Sequence, residues 1–264
     1  MGQGLAGATF GDGDGVPLVL VHGFPLDGRM WERQIGALAS RARVLVPDLR
    51  GFGRSPLPRG PHSIEDHARD LAACMDAHGA PKGVICGFSM GGYVALAFAA
   101  LFPWRVAGLA LADTRAAADS ASVKEARSAT ARRVLAEGMT FLADDMLFKL
   151  LGEKTLREGV DLSRRVWSMM VDQRREGVAA ALLAMRDRPS RLDLLRTITC
   201  PTLVAVGSQD AVTPPMEAAG FAGLIPGAFY VEIPGAGHLA CVEEPEPFNG
   251  AVLDLLTRVQ EERP

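Results

Sequence analysis

Six short runs of apolar, largely β-branched residues recur along the chain, each ending at a polar or glycine-rich break. They are Val19–Val21 before His22, Arg43–Val46 before Pro47, Gly83–Cys86 before Gly87, Leu109–Leu111, Thr202–Val206 and Phe229–Ile233. Strands that are apolar at nearly every position are buried on both faces, which is the pattern of a parallel sheet covered by helices. Between the runs the apolar period lengthens toward that of a helix. Ser63 precedes a stripe of Ile64, Ala68, Leu71 and Met75, with Asp66 placed to complete a capping box. A last helix is predicted after Pro247, with Phe248, Val252, Leu255, Leu256 and Val259 on one face. The alternation predicts an α/β fold, a mostly parallel sheet flanked by helices.

The strand signal vanishes between Asp113 and about Pro201, where helical patterns carry Met139, Met146, Met169, Met170 and Met185 among their apolar positions. This predicts an inserted helical subdomain, 115–196, dividing a core made of 1–114 and 197–264. The arginine pairs Arg132-Arg133, Arg164-Arg165 and Arg174-Arg175 in the insertion are interleaved with acidic residues and read as solvated helix faces.

Composition narrows the function classes. With 264 residues, 48% of them apolar, the chain supports one sizeable core. A net charge of -3 gives no concentrated basic surface for nucleic acid. The glycine-rich start, Met1 to Val16, lacks the basic and apolar segments of a signal peptide, and no apolar run approaches a membrane span, so a cytoplasmic protein without membrane partners is expected. Cys74, Cys86, Cys200 and Cys241 lack the close spacing of a zinc or redox motif and read as reduced, mostly buried residues. Nothing in the pattern bears on oligomeric state.

Candidate chemistry begins at Gly87-Phe88-Ser89-Met90-Gly91-Gly92, just after a predicted strand and just before the helical run Tyr93–Leu101. Glycines two before and two after a serine let the chain turn sharply enough to lift Oγ above the sheet. A nucleophilic serine needs a base and a group that orients it, in the chain order Ser, acid, His for this kind of sheet. Asp210 follows the run Thr202–Val206, and His238 lies in Pro234-Gly-Ala-Gly-His238 after the last run. Three unrelated segments thus deliver complementary residues to one sheet edge, where α/β proteins bind ligands. His22, opening His22-Gly23-Phe24-Pro25 directly after a strand, reads as loop support together with Gly23. The Phe24 and Met90 amides are the expected oxyanion donors, since Pro25 has no N–H and Met90 opens the helix after the serine. His62, His67 and His78 read as surface residues. Asp48, in the glycine-rich loop Asp48–Ser55, reads as structural. Asp113 is the reserve acid, able to reach His238 from the neighbouring strand.

At these residues the chain resembles the α/β-hydrolase superfamily along nearly its whole length. The matching segments are HGFPLDGRMW, DLRGFGRS, GFSMGGYVALAFA, TLVAVGSQDAVTP and IPGAGHLACVEEPEPF. Within the superfamily, HGFP with GFSMGG is similar to the 3-oxoadipate enol-lactonase-like and the cofactor-free haloperoxidase or aryl-esterase-like groups. The resemblance implies the fold, a lid inserted after the sixth strand, Ser89, Asp210 and His238 as a triad, and Phe24 and Met90 as backbone donors. Only about sixteen residues, six of them glycine, precede the first strong strand, so the antiparallel pair that usually opens this fold is expected to be shortened.

The expected activity is hydrolysis of a small carboxylic ester or lactone through an acyl-enzyme, with no metal or organic cofactor. One rival is perhydrolysis, in which hydrogen peroxide replaces water as acceptor. The other, from a different class, is a non-catalytic receptor that holds a small ligand on a hydrolase fold.

Overall fold

The computed structural model describes residues 4–13 and 15–262. The expected core's outermost positions, 1–3 and 263–264, lie outside the described residues, as does residue 14. Strands β1 (Gly7–Phe10), β2 (Leu18–Val21), β3 (Val44–Pro47), β4 (Gly83–Phe88), β5 (Val106–Ala112), β6 (Thr202–Gly207) and β7 (Phe229–Ile233) form a seven-stranded sheet in the order β1-β3-β2-β4-β5-β6-β7. Strands β2 to β7 run parallel, while β1 pairs antiparallel with β3, Gly7 opposite Pro47 and Phe10 opposite Val44. This is the mostly parallel α/β sheet expected from the pattern, in the α/β-hydrolase arrangement that the resemblance implies, with one addition. The four residues Gly7–Phe10 carry too little apolar signal to be recognised as a strand, because an edge strand is only half buried. Among the described residues one such strand, and not a pair, opens the sheet, so the helical insertion follows the fifth of the seven described strands and not a sixth.

Alternate residues of the central strands feed two cores, as a period of two requires. Leu18, Leu20, Val84 and Cys86 join Trp31 and Phe248 on one face; Val19, Val21 and Ile85 join Leu71 and Phe98 on the other. The helices Ile64–Ala77 and Met90–Leu101 cover one face, Glu32–Leu38 and Pro245–Glu261 the other. The first begins with the predicted capping box, in which the Ser63 side chain accepts from the Asp66 amide and an Asp66 carboxylate oxygen accepts from the Ser63 amide at 3.0 Å. The last helix starts at Pro245, three residues earlier than predicted, since proline is well suited to a first helical turn. His67, expected at the surface, is buried: it follows Ile64 by three and so shares the inward stripe, and burial pushes its imidazole down to about 3.

Among the described residues the segment between β5 and β6 holds six helices, from Ala121–Glu137 to Leu192–Leu195. Its arginine pairs are engaged at the surface, Arg133 with Glu137, Arg164 with Asp161 and Arg175 with Glu176. No helix among the described residues is long and apolar enough to cross a membrane.

Strand register brings the functional edge level. Val21 pairs with Gly87, Phe88 with Ala112, Ala112 with Ala205, and Gly207 with Ile233. The segments leaving β2, β4, β5, β6 and β7 therefore emerge side by side. Backbone meets backbone at Gly91, where a Cβ would lie 2.1 Å from the Val21 carbonyl oxygen. Because backbone on both sides blocks relaxation, Gly91→Ala should lower the free energy of unfolding by about 3 kcal/mol or more. Urea unfolding against the parent protein measures this; equal stability of the two would contradict the packing described.

Candidate active site

Ser89 stands between β4 and the helix Met90–Leu101 with φ 51° and ψ −112°, a left-handed backbone rarely taken by a residue with a side chain. Neighbours hold it there. Its amide donates to the Ala112 carbonyl at 2.9 Å, and its carbonyl accepts from the Thr114 hydroxyl at 2.7 Å. The turn also requires glycine at 87, where a Cβ would lie 2.3 Å from the Gly91 carbonyl oxygen. Phe88, one residue before the serine, is buried between Trp31 and the imidazole of His238, whose ring centroid is 5.1 Å away.

His238 bridges the other two predicted residues. Its Nδ1–H donates to Asp210 Oδ2 at 2.8 Å, which leaves the Nε2 lone pair to accept from the Ser89 hydroxyl at 2.9 Å. Asp210 is buried, and its other bonds come from its own turn. Oδ1 accepts from the Val212 and Thr213 amides at 2.7 and 2.8 Å, and Oδ2 also accepts from the Thr213 hydroxyl at 2.5 Å. Burial works to raise the Asp210 carboxyl, but the His238 and Thr213 hydrogen bonds and the attraction to His238 hold it below the usual carboxylate range. Thr213 was not singled out by sequence reasoning. The signal available was Asp210-Ala-Val-Thr213, the spacing of an Asx turn.

His22 joins two backbone segments. Its Nδ1–H donates to the Gly23 carbonyl at 2.9 Å and its Nε2 accepts from the Leu49 amide at 2.9 Å, a neutral ring with both nitrogens used. Burial lowers its pKa, against the opposing Gly23 hydrogen bond, and keeps the ring neutral. The Gly23 carbonyl also accepts from Leu26, at 3.0 Å. In a trans peptide, N–H and C=O point opposite ways, so fixing the Gly23 carbonyl also fixes the direction of the Phe24 N–H. Neither the Phe24 nor the Met90 amide finds an acceptor among the described residues, although both residues are buried. Gly23 packs so closely on the Phe88 ring that a Cβ would lie 2.5 Å from it.

The two rival carboxylates separate cleanly. Asp48 ties its loop together, Oδ1 accepting from the Gly28 amide at 2.9 Å and Oδ2 from the Arg54 amide at 3.0 Å. Asp113 lies close to the site: one donor atom each from Asp113, Asp210 and His238 fall within 4.8 Å of one another. Such a trio could approach a small cation, but here Asp210 and His238 are bonded to each other and His238 to Ser89. Asp113 Oδ1 accepts from the Gly207 amide at 2.8 Å, and buried Oδ2 has no partner among the described residues. Burial, reinforced by the nearby Asp210 charge, pushes the Asp113 carboxyl well above the usual range, while Asp210 is held below it. A cleft of about 830 Å³ lies elsewhere, between β1 and the helix Val160–Val171, lined by Phe10, Val46, Asp48 and Met169 and by none of Ser89, Asp113, Asp210 and His238.

Known proteins share this architecture. The family profile for the alpha/beta hydrolase fold matches residues 16–245. A thermophilic esterase from Thermogutta terrifontis, in a malate-bound structure, superposes with a TM-score of 0.94 at 45% identity, covering 97% of this chain and 93% of that one. The enol-lactonase of Burkholderia xenovorans LB400 superposes at 0.89 with 31% identity over 96% of each chain. The 3-oxoadipate enol-lactonase 2 of Acinetobacter baylyi is 29% identical over 251 residues, 95% of this chain and 92% of that protein.

The upward shift at Asp113 has a measurable consequence. A carboxyl whose pKa is raised on folding leaves the native state holding more protons than the unfolded chain above about pH 4, so its contribution to stability declines as pH rises. Asp113→Asn removes that term. Its stability relative to the parent should therefore improve between pH 5 and pH 7, by up to about 1.4 kcal/mol per pH unit. A difference between the two proteins that does not change with pH, in urea unfolding at both values, would show that Asp113 is ionised in the folded protein.

Proposed function

The chain belongs to the alpha/beta hydrolase fold family, and we propose that within it the protein hydrolyses small carboxylic esters or lactones through an acyl-enzyme on Ser89. The observation that carries this reading is the continuous bridge through His238, 2.9 Å to Ser89 and 2.8 Å to Asp210. As Ser89 Oγ attacks the substrate carbonyl, its proton passes to His238 Nε2. Asp210 holds the imidazole in the Nδ1–H tautomer and stabilises the imidazolium as it forms. The Met90 and Phe24 amides, both without protein acceptors among the described residues, bind the oxyanion; His22 sets the direction of the second through the Gly23 carbonyl. The alcohol leaves with the proton from His238, and water repeats the cycle to release the acid. For a lactone, alcohol and acid are ends of one molecule. Each step uses this chain's own groups and calls on no cofactor.

An ester or lactone as substrate class is supported by the serine at the elbow, where ring opening of epoxides or displacement of halide on this fold would use a carboxylate. It is supported also by relatives named esterase and enol-lactonase. The helical insertion acts as the lid over this edge.

Ser89→Ala should abolish turnover of a p-nitrophenyl ester and labelling by a fluorophosphonate probe. Asp210→Asn should lower kcat on the order of 10⁴-fold by fixing the wrong tautomer. Turnover by Ser89→Ala at a rate near the parent's would rule out the acyl-enzyme on Ser89. Tight binding of a lactone by a parent protein that resists the probe would favour a receptor, and peracid formation outpacing hydrolysis on one acyl donor would move the activity to perhydrolysis.

A further inference from the structure

Glu243 is buried, five residues beyond His238, and plays no part in the proton transfers above. Its two carboxylate oxygens go to different parts of the molecule. Oε1 accepts from the Gly237 amide at 2.8 Å, and Oε2 accepts from the Gly152 amide at 2.8 Å. Gly237 directly precedes His238. Gly152 belongs to the insertion, at the junction between the helices Thr140–Leu150 and Glu153–Glu158. On the other side of the histidine, the Leu239 amide donates to the Leu150 carbonyl at 2.9 Å. Both peptide neighbours of His238 are therefore tied to one four-residue stretch of the insertion, once directly and once through Glu243.

The contact is backbone on backbone. A Cβ on Gly237 would lie 2.5 Å from the Gly152 nitrogen, and one on Gly152 would lie 2.8 Å from the Gly235 carbonyl oxygen. The same stretch reaches the acid loop, where the Glu153 amide donates to Gln209 Oε1 at 2.8 Å, one residue before Asp210. His238 itself lies five residues past the end of β7, on a loop with two glycines before it, so no strand or helix fixes its backbone.

We propose that Glu243 is a positioning residue that couples the docking of the insertion at Leu150–Glu153 to the placement of His238 against Ser89. The proposal rests on the reading that Ser89, His238 and Asp210 hydrolyse an ester. Its consequence for selectivity is specific: an acyl group that pushes the insertion off its seat at Gly152 also moves His238, so an ill-fitting substrate loses kcat and not only binding.

Glu243→Gln tests this at constant volume. A glutamine offers one acceptor oxygen where two amides point, and its NH₂ faces the second donor, so one of the two ties is lost. The readouts are kcat per Ser89 site titrated with the fluorophosphonate, KM for p-nitrophenyl acetate, and amide hydrogen exchange. We expect kcat per site to fall on the order of 10²-fold, the cost of about 1 Å of misplacement at the reacting groups. KM for this small substrate should stay within about twofold, and exchange should quicken at 150–153 and 237–239 together while the strands stay protected. A purely structural role would lower the fraction of titratable sites and leave kcat per site unchanged; that result overturns the proposal, as does faster exchange at 150–153 alone. Should Glu243→Gln fail to fold, Glu243→Asp carries the same readouts, since it keeps the charge but is one methylene too short to span both amides. A parent protein that neither labels nor turns over any ester overturns the hydrolase reading instead, and the exchange measurement still decides whether the two segments are coupled.

Discussion

The rest of the site depends on one backbone crossing, the turn at Ser89. There β4 passes into a helix through a left-handed residue, a conformation that costs about 1–3 kcal/mol for a residue with a side chain and persists only where the surroundings fix it. The fixing groups come from β5 and its exit, the Ala112 carbonyl and the Thr114 hydroxyl, and from glycines that let three backbone segments touch. Those contacts exist only because the parallel register holds β2, β4 and β5 level, and that register follows from strands apolar on both faces. The sequence pattern that selects the sheet therefore also selects the elbow. Once Ser89 is fixed, its hydroxyl has one neighbour of the right chemistry, and the loops after β6 and β7 must meet it.

Electrostatics then assigns roles among carboxylates that composition alone leaves equal. Asp210 receives two amides, a hydroxyl and an imidazole, while Asp113 receives a single amide and has an oxygen with no partner among the described residues. Two charges cannot be held in so small a buried volume, and the negative charge goes where the donors are. His22 and His238 divide in the same way. His22 spends both ring nitrogens on backbone, so it serves as a brace; His238 has one nitrogen on a carboxylate and the other on a hydroxyl, which is the arrangement for moving a proton.

The parts of this picture legible in the sequence are those set by local chemistry or short periods. The six strands β2 to β7, the Ser63 capping box, the helical insertion and the order Ser89, Asp210, His238 all leave marks in consecutive residues, although β7 is an edge strand with only Ile233 buried. What stayed hidden depends on contacts between distant segments. The edge strand Gly7–Phe10 owes its structure to pairing with β3 more than to its own four residues. The burial of His67 needs the inward stripe of its helix to be weighed above the polarity of the residue. Asp113 stands in the sequence as the reserve for Asp210, and the donors that separate the two are counted only in space. Glu243 looks like one of several acids near a helix start, and only the fold shows its two oxygens reaching Gly237 and Gly152.

The three segments that meet at the site are held by different means, and this explains why the insertion is tied where it is. Ser89 needs no help from the insertion, because a strand ends immediately before it and a helix begins immediately after. Asp210 builds a turn of its own, with Val212 and Thr213 as donors. His238 alone has neither, since its loop runs Pro-Gly-Ala-Gly and the short helix after it begins at Ala240. A loop of that composition has the most conformational freedom to lose on ordering. The ties from Leu150, from Gly152 through Glu243, and from Glu153 through Gln209 fall on the His238 loop and its neighbour, and none falls on the elbow. The least constrained member of the site thus borrows its order from the insertion, so in the proposed reaction a well-seated insertion and a well-placed base are consequences of the same docking.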